Sequence, residues 1–113
     1  MTIRRKINSI GLPLVVTLRD GAGAVDLSTA STVKITITNK ATGTKKVDLA
    51  SCSFSTVTSG ATKGQVSFAP GSSDFNTAGT YYVEFKVTWA NGKSDYWPAD
   101  ESVYITLILE PTL

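Results

Sequence analysis

The sequence predicts an all-β chain, an antiparallel β-sandwich of about seven or eight short strands with no disulfide. Three observations carry this. Apolar residues alternate with polar ones over several runs, the period of a strand with one face in a core. Turn-forming residues recur about every ten residues. No stretch has a convincing helical period, apart from one short turn expected within Gly71–Thr77 with Ser72 or Ser73 as its cap.

The clearest run places Tyr81, Val83, Phe85, Val87 and Trp89 on one face and Tyr82, Glu84, Lys86 and Thr88 on the other. Val103, Ile105, Leu107 and Leu109 repeat the pattern near the end, as do Val33, Ile35 and Ile37 in the middle. Shorter strands are expected at Ile3–Ile7, Leu12–Leu18, Lys45–Leu49, Cys52–Val57 and Gln65–Phe68. Asn91-Gly92 is a hairpin cue that links the strand ending near Trp89 to one at Ser94–Trp97. Pro98, with no N–H to donate, stops that strand. The expected core is Val33, Ile35, Ile37, Val66, Phe68, Tyr81, Val83, Phe85, Val103, Ile105 and Leu107.

The 113 residues fit one domain, 1–113, with residues 1–10 as an N-terminal arm or an edge strand. Serine and threonine total 28, a quarter of the chain, and they interleave with Val and Ile as in strands. Eleven basic and nine acidic side chains leave a net charge of +2, which does not point to specific nucleic-acid binding. No apolar run approaches the roughly 20 residues of a membrane-spanning helix. A basic start, Arg4-Arg5-Lys6, precedes an apolar run, but Asn8 and Ser9 interrupt it and the run alternates, so it reads as strand and not as signal peptide.

The residues expected to do chemistry are few. Histidine is absent, which removes the usual general base and His metal sites. The lone Cys52 alternates with Phe54 and reads as a buried, inert thiol. Asp95, Asp100 and Glu101 could present oxygens to a hard cation, but loop acids of this kind read as solvated. No Gly-rich phosphate loop is present. The expectation is therefore no catalytic residue, no metal, no cofactor and no enzyme activity. Candidate partner contacts are the basic run Arg4, Arg5 and Lys6 and the aromatics Tyr96 and Trp97. The basic run also reads as charge guarding an edge strand. In a regular strand Tyr96 and Trp97 face opposite ways, so at least one points away from the core.

Asp74-Phe75-Asn76-Thr77-Ala78-Gly79-Thr80-Tyr81 resembles the E–F corner of immunoglobulin-like domains, where Gly79 would precede a Tyr81 whose hydroxyl bonds back to nearby backbone. Val83 stands where an antibody domain has its second disulfide cysteine. Leu18-Arg19-Asp20-Gly21, Val33–Ile37, Gly64-Gln65-Val66-Ser67-Phe68, Ala78–Phe85, Asn91-Gly92, Pro98 and Val103-Tyr104-Ile105 follow in an order similar to the N-terminal immunoglobulin-like domain of bacteriophage baseplate upper proteins. The similarity runs from about Leu12 to Leu109. The chain departs in having Asn8-Ser9-Ile10-Gly11 before its first long strand and in stopping at Leu113, where those proteins continue into further domains. The resemblance therefore implies a free-standing virion module, assembled in the bacterial cytoplasm. It would pack in symmetric copies against other virion proteins as a baseplate, tail, neck or capsid-decorating subunit. The alternative is a carbohydrate-binding or host-adhesion module that meets a surface glycan through exposed aromatics near Trp97.

Overall fold

A computed structural model describes residues 1–98 and 105–112. Its secondary structure is all β. Ten strands follow in order: β1 (Thr2–Lys6), β2 (Leu14–Thr17), β3 (Arg19–Asp20), β4 (Gly23–Ala24), β5 (Ala30–Asn39), β6 (Lys45–Phe54), β7 (Gln65–Phe68), β8 (Gly79–Trp89), β9 (Ser94–Trp97) and β10 (Ile105–Glu110). The main sheet runs β1-β10-β8-β5-β6-β7-β2, with β9 also paired to β8, and it curls into a half-barrel. β3 and β4 form a separate small hairpin.

The sheet is antiparallel except for β1, which lies parallel to β10. β5 and β8 form its longest ladder, with Val33 opposite Val87, Ile35 opposite Phe85 and Ile37 opposite Val83. All six of these side chains are buried. Burying one Val, Ile or Phe is worth about 1.5–3 kcal/mol, comparable with the cost of ordering its own backbone, so the inward face supplies the ladder's main favourable contribution. Glu84 on the opposite face is exposed. The opposite register would have buried its charge and exposed Val83 and Phe85.

The curl comes from β6. It pairs with β5 as far as Cys52 and then with β7 through Ser53 and Phe54. Within the stretch paired to β5 the register slips twice: Ile35 faces Ala50, Ile37 faces Val47 and Thr38 faces Lys45. One extra residue is absorbed at Asp48 and Leu49, both exposed, with Leu49 at φ 53°, and another at Lys46. Such a bulge bends its strand and raises the local twist. The sequence reading divides this segment into two strands, Lys45–Leu49 and Cys52–Val57. The structure joins them, because the bulge interrupts alternation without interrupting the strand. The second strand is also shorter than the Leu12–Leu18 expected: Leu12 is 72% exposed and pairing begins at Leu14.

Ten of the eleven expected core positions are described, and nine of them are buried; Ile105 is half-buried against the core. Val103 lies outside the described residues. Loop residues complete the core. Leu18, Val25, Leu27 and Phe75 are all buried, and none lies within one of the ten strands. Gly64 explains how the β3–β4 region is held in. Its carbonyl accepts the Leu18 N–H at 2.8 Å, and a Cβ on Gly64 would sit 2.8 Å from the Leu18 carbonyl oxygen. Only glycine permits that approach.

At the corner before β8, the Gly71 region makes a turn and no helix. Its cap is Asp74, whose carboxylate accepts the Gly71 N–H at 2.6 Å, in place of Ser72 or Ser73. Tyr81 is 1% exposed, and its hydroxyl donates to the Thr77 carbonyl at 2.7 Å. Burial pushes the phenol's pKa further up from its ordinary value. Gly79 has φ 153°, while a Cβ there would lie 3.6 Å from the Tyr81 ring, an ordinary contact. Conformation, more than space, sets the glycine. Tyr81→Phe is expected to cost about 1–2 kcal/mol, because the Thr77 carbonyl loses its donor in a partly buried site. Urea unfolding should show this as a lower midpoint at unchanged slope.

Candidate functional site

The chain has no histidine, and its one cysteine is half-buried. No group of three metal-ligating side chains occurs among the described residues. Asp95, one of three acids considered as a cation site, accepts the Trp89 indole N–H at 2.7 Å. Its companions Asp100 and Glu101 lie outside the described residues. Burial pushes the Cys52 thiol up to about 12. Native Cys52 should therefore resist iodoacetamide at pH 8 and react readily once urea unfolds the chain, a contrast that mass spectrometry of the alkylated protein would read.

Arg4, Arg5 and Lys6 form most of β1, which pairs with β10 through all five of its residues. Alternation splits the three charges. Arg4 and Lys6 flank Glu110 of β10 at 3.0 and 3.6 Å. Arg5 lies on the other side and donates from both terminal nitrogens, to the carbonyls of Leu12 and Pro13 at 2.8 Å each. One guanidinium fork thus ties the first strand of the sheet to the approach of its last, β2. The basic run is engaged within the protein, while the Arg4 and Lys6 side chains stay 66% and 53% exposed.

The Arg4 hydrogen bond, with Lys6 adding a smaller attraction, holds Glu110 below the usual glutamate range. A lowered folded pKa contributes stability above the unfolded pKa and loses it as pH falls through the folded value. The pairs are exposed, so the effect is small and salt-sensitive. Hydrogen exchange at the β1 amides should be faster in Glu110→Gln than in the wild type at neutral pH. The two should converge as pH drops below the ordinary glutamate range.

Register separates the two aromatics. Tyr96 pairs with Lys86 on the outward face and is 47% exposed, with the Lys86 ammonium 5.9 Å from its ring centre. Trp97 pairs with Phe85 on the inward face. It is half-buried, with its ring edge-on to Trp89 at 6.3 Å and 79°. Trp97 is thus a packing residue, as is Trp89, which is half-buried against the core.

Two further surfaces were not singled out by sequence. The outer face of β5 and β8 carries a shallow groove of about 420 Å³, lined by Thr36, Thr38, Asp48, Tyr82, Glu84 and Tyr96 among others. The other is the free edge at β2, the end of the sheet path. Val15 is 43% exposed there, beside the exposed Leu12, and no charged residue occurs between Lys6 and Arg19. That uncharged stretch is visible in the sequence, but only strand order reveals it as an edge. Family models, curated proteins and solved structures give no match to this chain. No helix among the described residues is long and apolar enough to cross a membrane.

Proposed function

We propose that this chain is a non-enzymatic structural module of a tailed-phage particle, a baseplate, tail, neck or capsid-decorating subunit that works through protein–protein contact. The observation that carries the reading is the difference between the two ends of the sheet. β1 is a guarded edge, dense in cations, as proteins that avoid pairing build them. β2 carries no charged side chain of its own and leaves Val15 exposed beside the exposed Leu12, while Arg5 reaches only the carbonyls of its approach, Leu12 and Pro13. An open, uncharged strand edge is a surface suited to being covered by another chain.

The fold reading that goes with this is an immunoglobulin-like sandwich. In it β2, β7 and the end of β6 would form one layer, and β1, β10, β8, β5 and the start of β6 the other. The bend in β6, the parallel β1–β10 pair and the Tyr81–Thr77 bond support it. The order of motifs from Leu12 to Leu109 supports the phage assignment. Weak single contacts would suffice in a symmetric particle, where repetition raises the effective concentration.

Val15→Lys places a charge on the β2 edge without touching the core. It should leave folding stability within about 0.5 kcal/mol of wild type. It should also abolish incorporation into particles assembled with the variant, measured by mass spectrometry of purified virions. Arg4→Ala should incorporate normally. Absence of the wild-type chain from mature virions would overturn the reading.

A further inference from the structure

We infer that the free edge of β2 pairs with β2 of a second copy of this chain, antiparallel and centred on Val16. This rests on the reading of β2 as a contact edge and names its partner. Hydrogen-bond parity fixes which groups the edge presents. β2 meets β7 with Leu14 opposite Phe68, Val16 opposite Val66 and Thr17 opposite Gln65. One step further, the Leu18 N–H donates to the Gly64 carbonyl at 2.8 Å. Bonded and non-bonded positions alternate in an antiparallel ladder, so Leu14, Val16 and Leu18 direct their backbone groups toward β7. Gln65 agrees, since its carbonyl turns away from β2 to accept the Ser55 N–H at 2.9 Å. Val15 and Thr17 therefore turn their N–H and C=O groups outward, where no strand among the described residues meets them.

An antiparallel copy of the same strand satisfies that set. With Val16 opposite Val16 of the second copy, Val15 falls opposite Thr17 and Thr17 opposite Val15. Each of those is a bonded pair that exchanges both N–H···O contacts, so every outward group on both strands finds a partner. The two-fold axis makes the contact self-complementary. Neighbouring registers do worse. An axis through Val15 puts Pro13, which has no N–H, opposite Thr17. An axis through Thr17 calls on Arg19, which pairs with Ala24 in the separate hairpin.

Side chains and charge fit the same partner. β2 has no charged side chain, so nothing repels at the axis and nothing selects a charged foreign strand. Val15 and Thr17 share the outer face, and the pairing sets one β-branched side chain against another across the junction, covering Val15. Arg5 is held at the Leu12 and Pro13 carbonyls. An axis at Val16 sets Leu12 and Pro13 of one copy beside Asp20 and Arg19 of the other. The two Arg5 side chains then stand about 23 Å apart along the strand, well past the screening length of about 8 Å. Arg19 and Asp20 bring no net charge to that end. Arg4 and Lys6 stay with Glu110 on the other side of β1. The contact is small, so the dimer belongs to the weak, transient class.

The test is sedimentation and NMR of the full chain from about 20 μM to about 2 mM, a range that brackets weak association. The mass should rise from monomer toward dimer and no further. The Val15 and Thr17 amides should gain protection from hydrogen exchange as concentration rises, while the Val16 amide, bonded to β7, is protected throughout. A mixture of labelled and unlabelled chains should show a contact between the Val16 α-protons of two copies, which lie close in a non-bonded pair. Val15→Lys should raise the dissociation constant by about tenfold or more. Val15→Pro, which removes one outward N–H, should do the same while the Val16 amide stays protected. A chain that is monomeric at every concentration would overturn the dimer. So would association that leaves the Val15 and Thr17 amides unchanged, or that survives Val15→Lys. Particle incorporation is read separately. A monomeric wild type that enters virions, with Val15→Lys excluded, sinks the dimer alone and makes the partner a foreign strand. Absence of a dimerising wild type from virions sinks the proposed function alone.

Discussion

The rest of the structure depends on β8, a strand paired on both edges whose inward face is apolar along its length. β5 covers one edge, and β9 and β10 lie in line along the other. Tyr81, Val83, Phe85 and Val87 are all buried beneath this ladder, and the period of two leaves them one available register. The same period fixes the outer face, so the positions of Tyr82, Glu84 and Lys86 are consequences of core burial. A one-residue slip would exchange core and groove together. The Tyr81 hydroxyl bond ties the start of β8 to the turn before it, which anchors the register at its beginning.

The second organising feature is the bulge in β6. A flat sheet could bury one face only against another element, and no helix is present among the described residues to supply one. Bent at Asp48 and Leu49, β6 passes from β5 to β7 after Cys52, and Leu14, Val16, Val66 and Phe68 close the core on that side. The turn leaves the sheet with two ends, and Arg5 bridges them through the Leu12 and Pro13 carbonyls. β1 itself is neutralised in part by Glu110, which makes it a finished edge. β2 carries no charged side chain within the strand itself, and the proposed partner contact follows from that asymmetry.

Several polar side chains on this molecule hold its structure. Asp95 holds an indole, Asp74 caps a turn, Glu110 holds two cations, and the Cys52 thiol is kept protonated by burial. Among the described residues, Glu84 differs in lying on the outer-face groove without a hydrogen bond or ion pair.

The sequence by itself determined the strands with strict alternation, the hairpin at Asn91-Gly92 and most of the core, because a half-buried strand writes its burial into every second residue. It also determined the Tyr81 corner, since a turn followed by an inward tyrosine leaves its hydroxyl a local carbonyl to reach. It left unclear whether Tyr96 or Trp97 faces outward, because alternation gives two faces without saying which is inside; the pairing of Trp97 with Phe85 decided that. It read β6 as two strands, because a bulge and a break both interrupt a period of two. It offered Arg4, Arg5 and Lys6 as contacts, and only the parallel pairing with β10 showed how Glu110 and the Leu12 and Pro13 carbonyls engage them. Strand order, edges and the groove depend on pairings between residues far apart in the chain. Local periodicity records which face each residue takes but not which strand lies beside it, so these were decided by the tertiary structure alone.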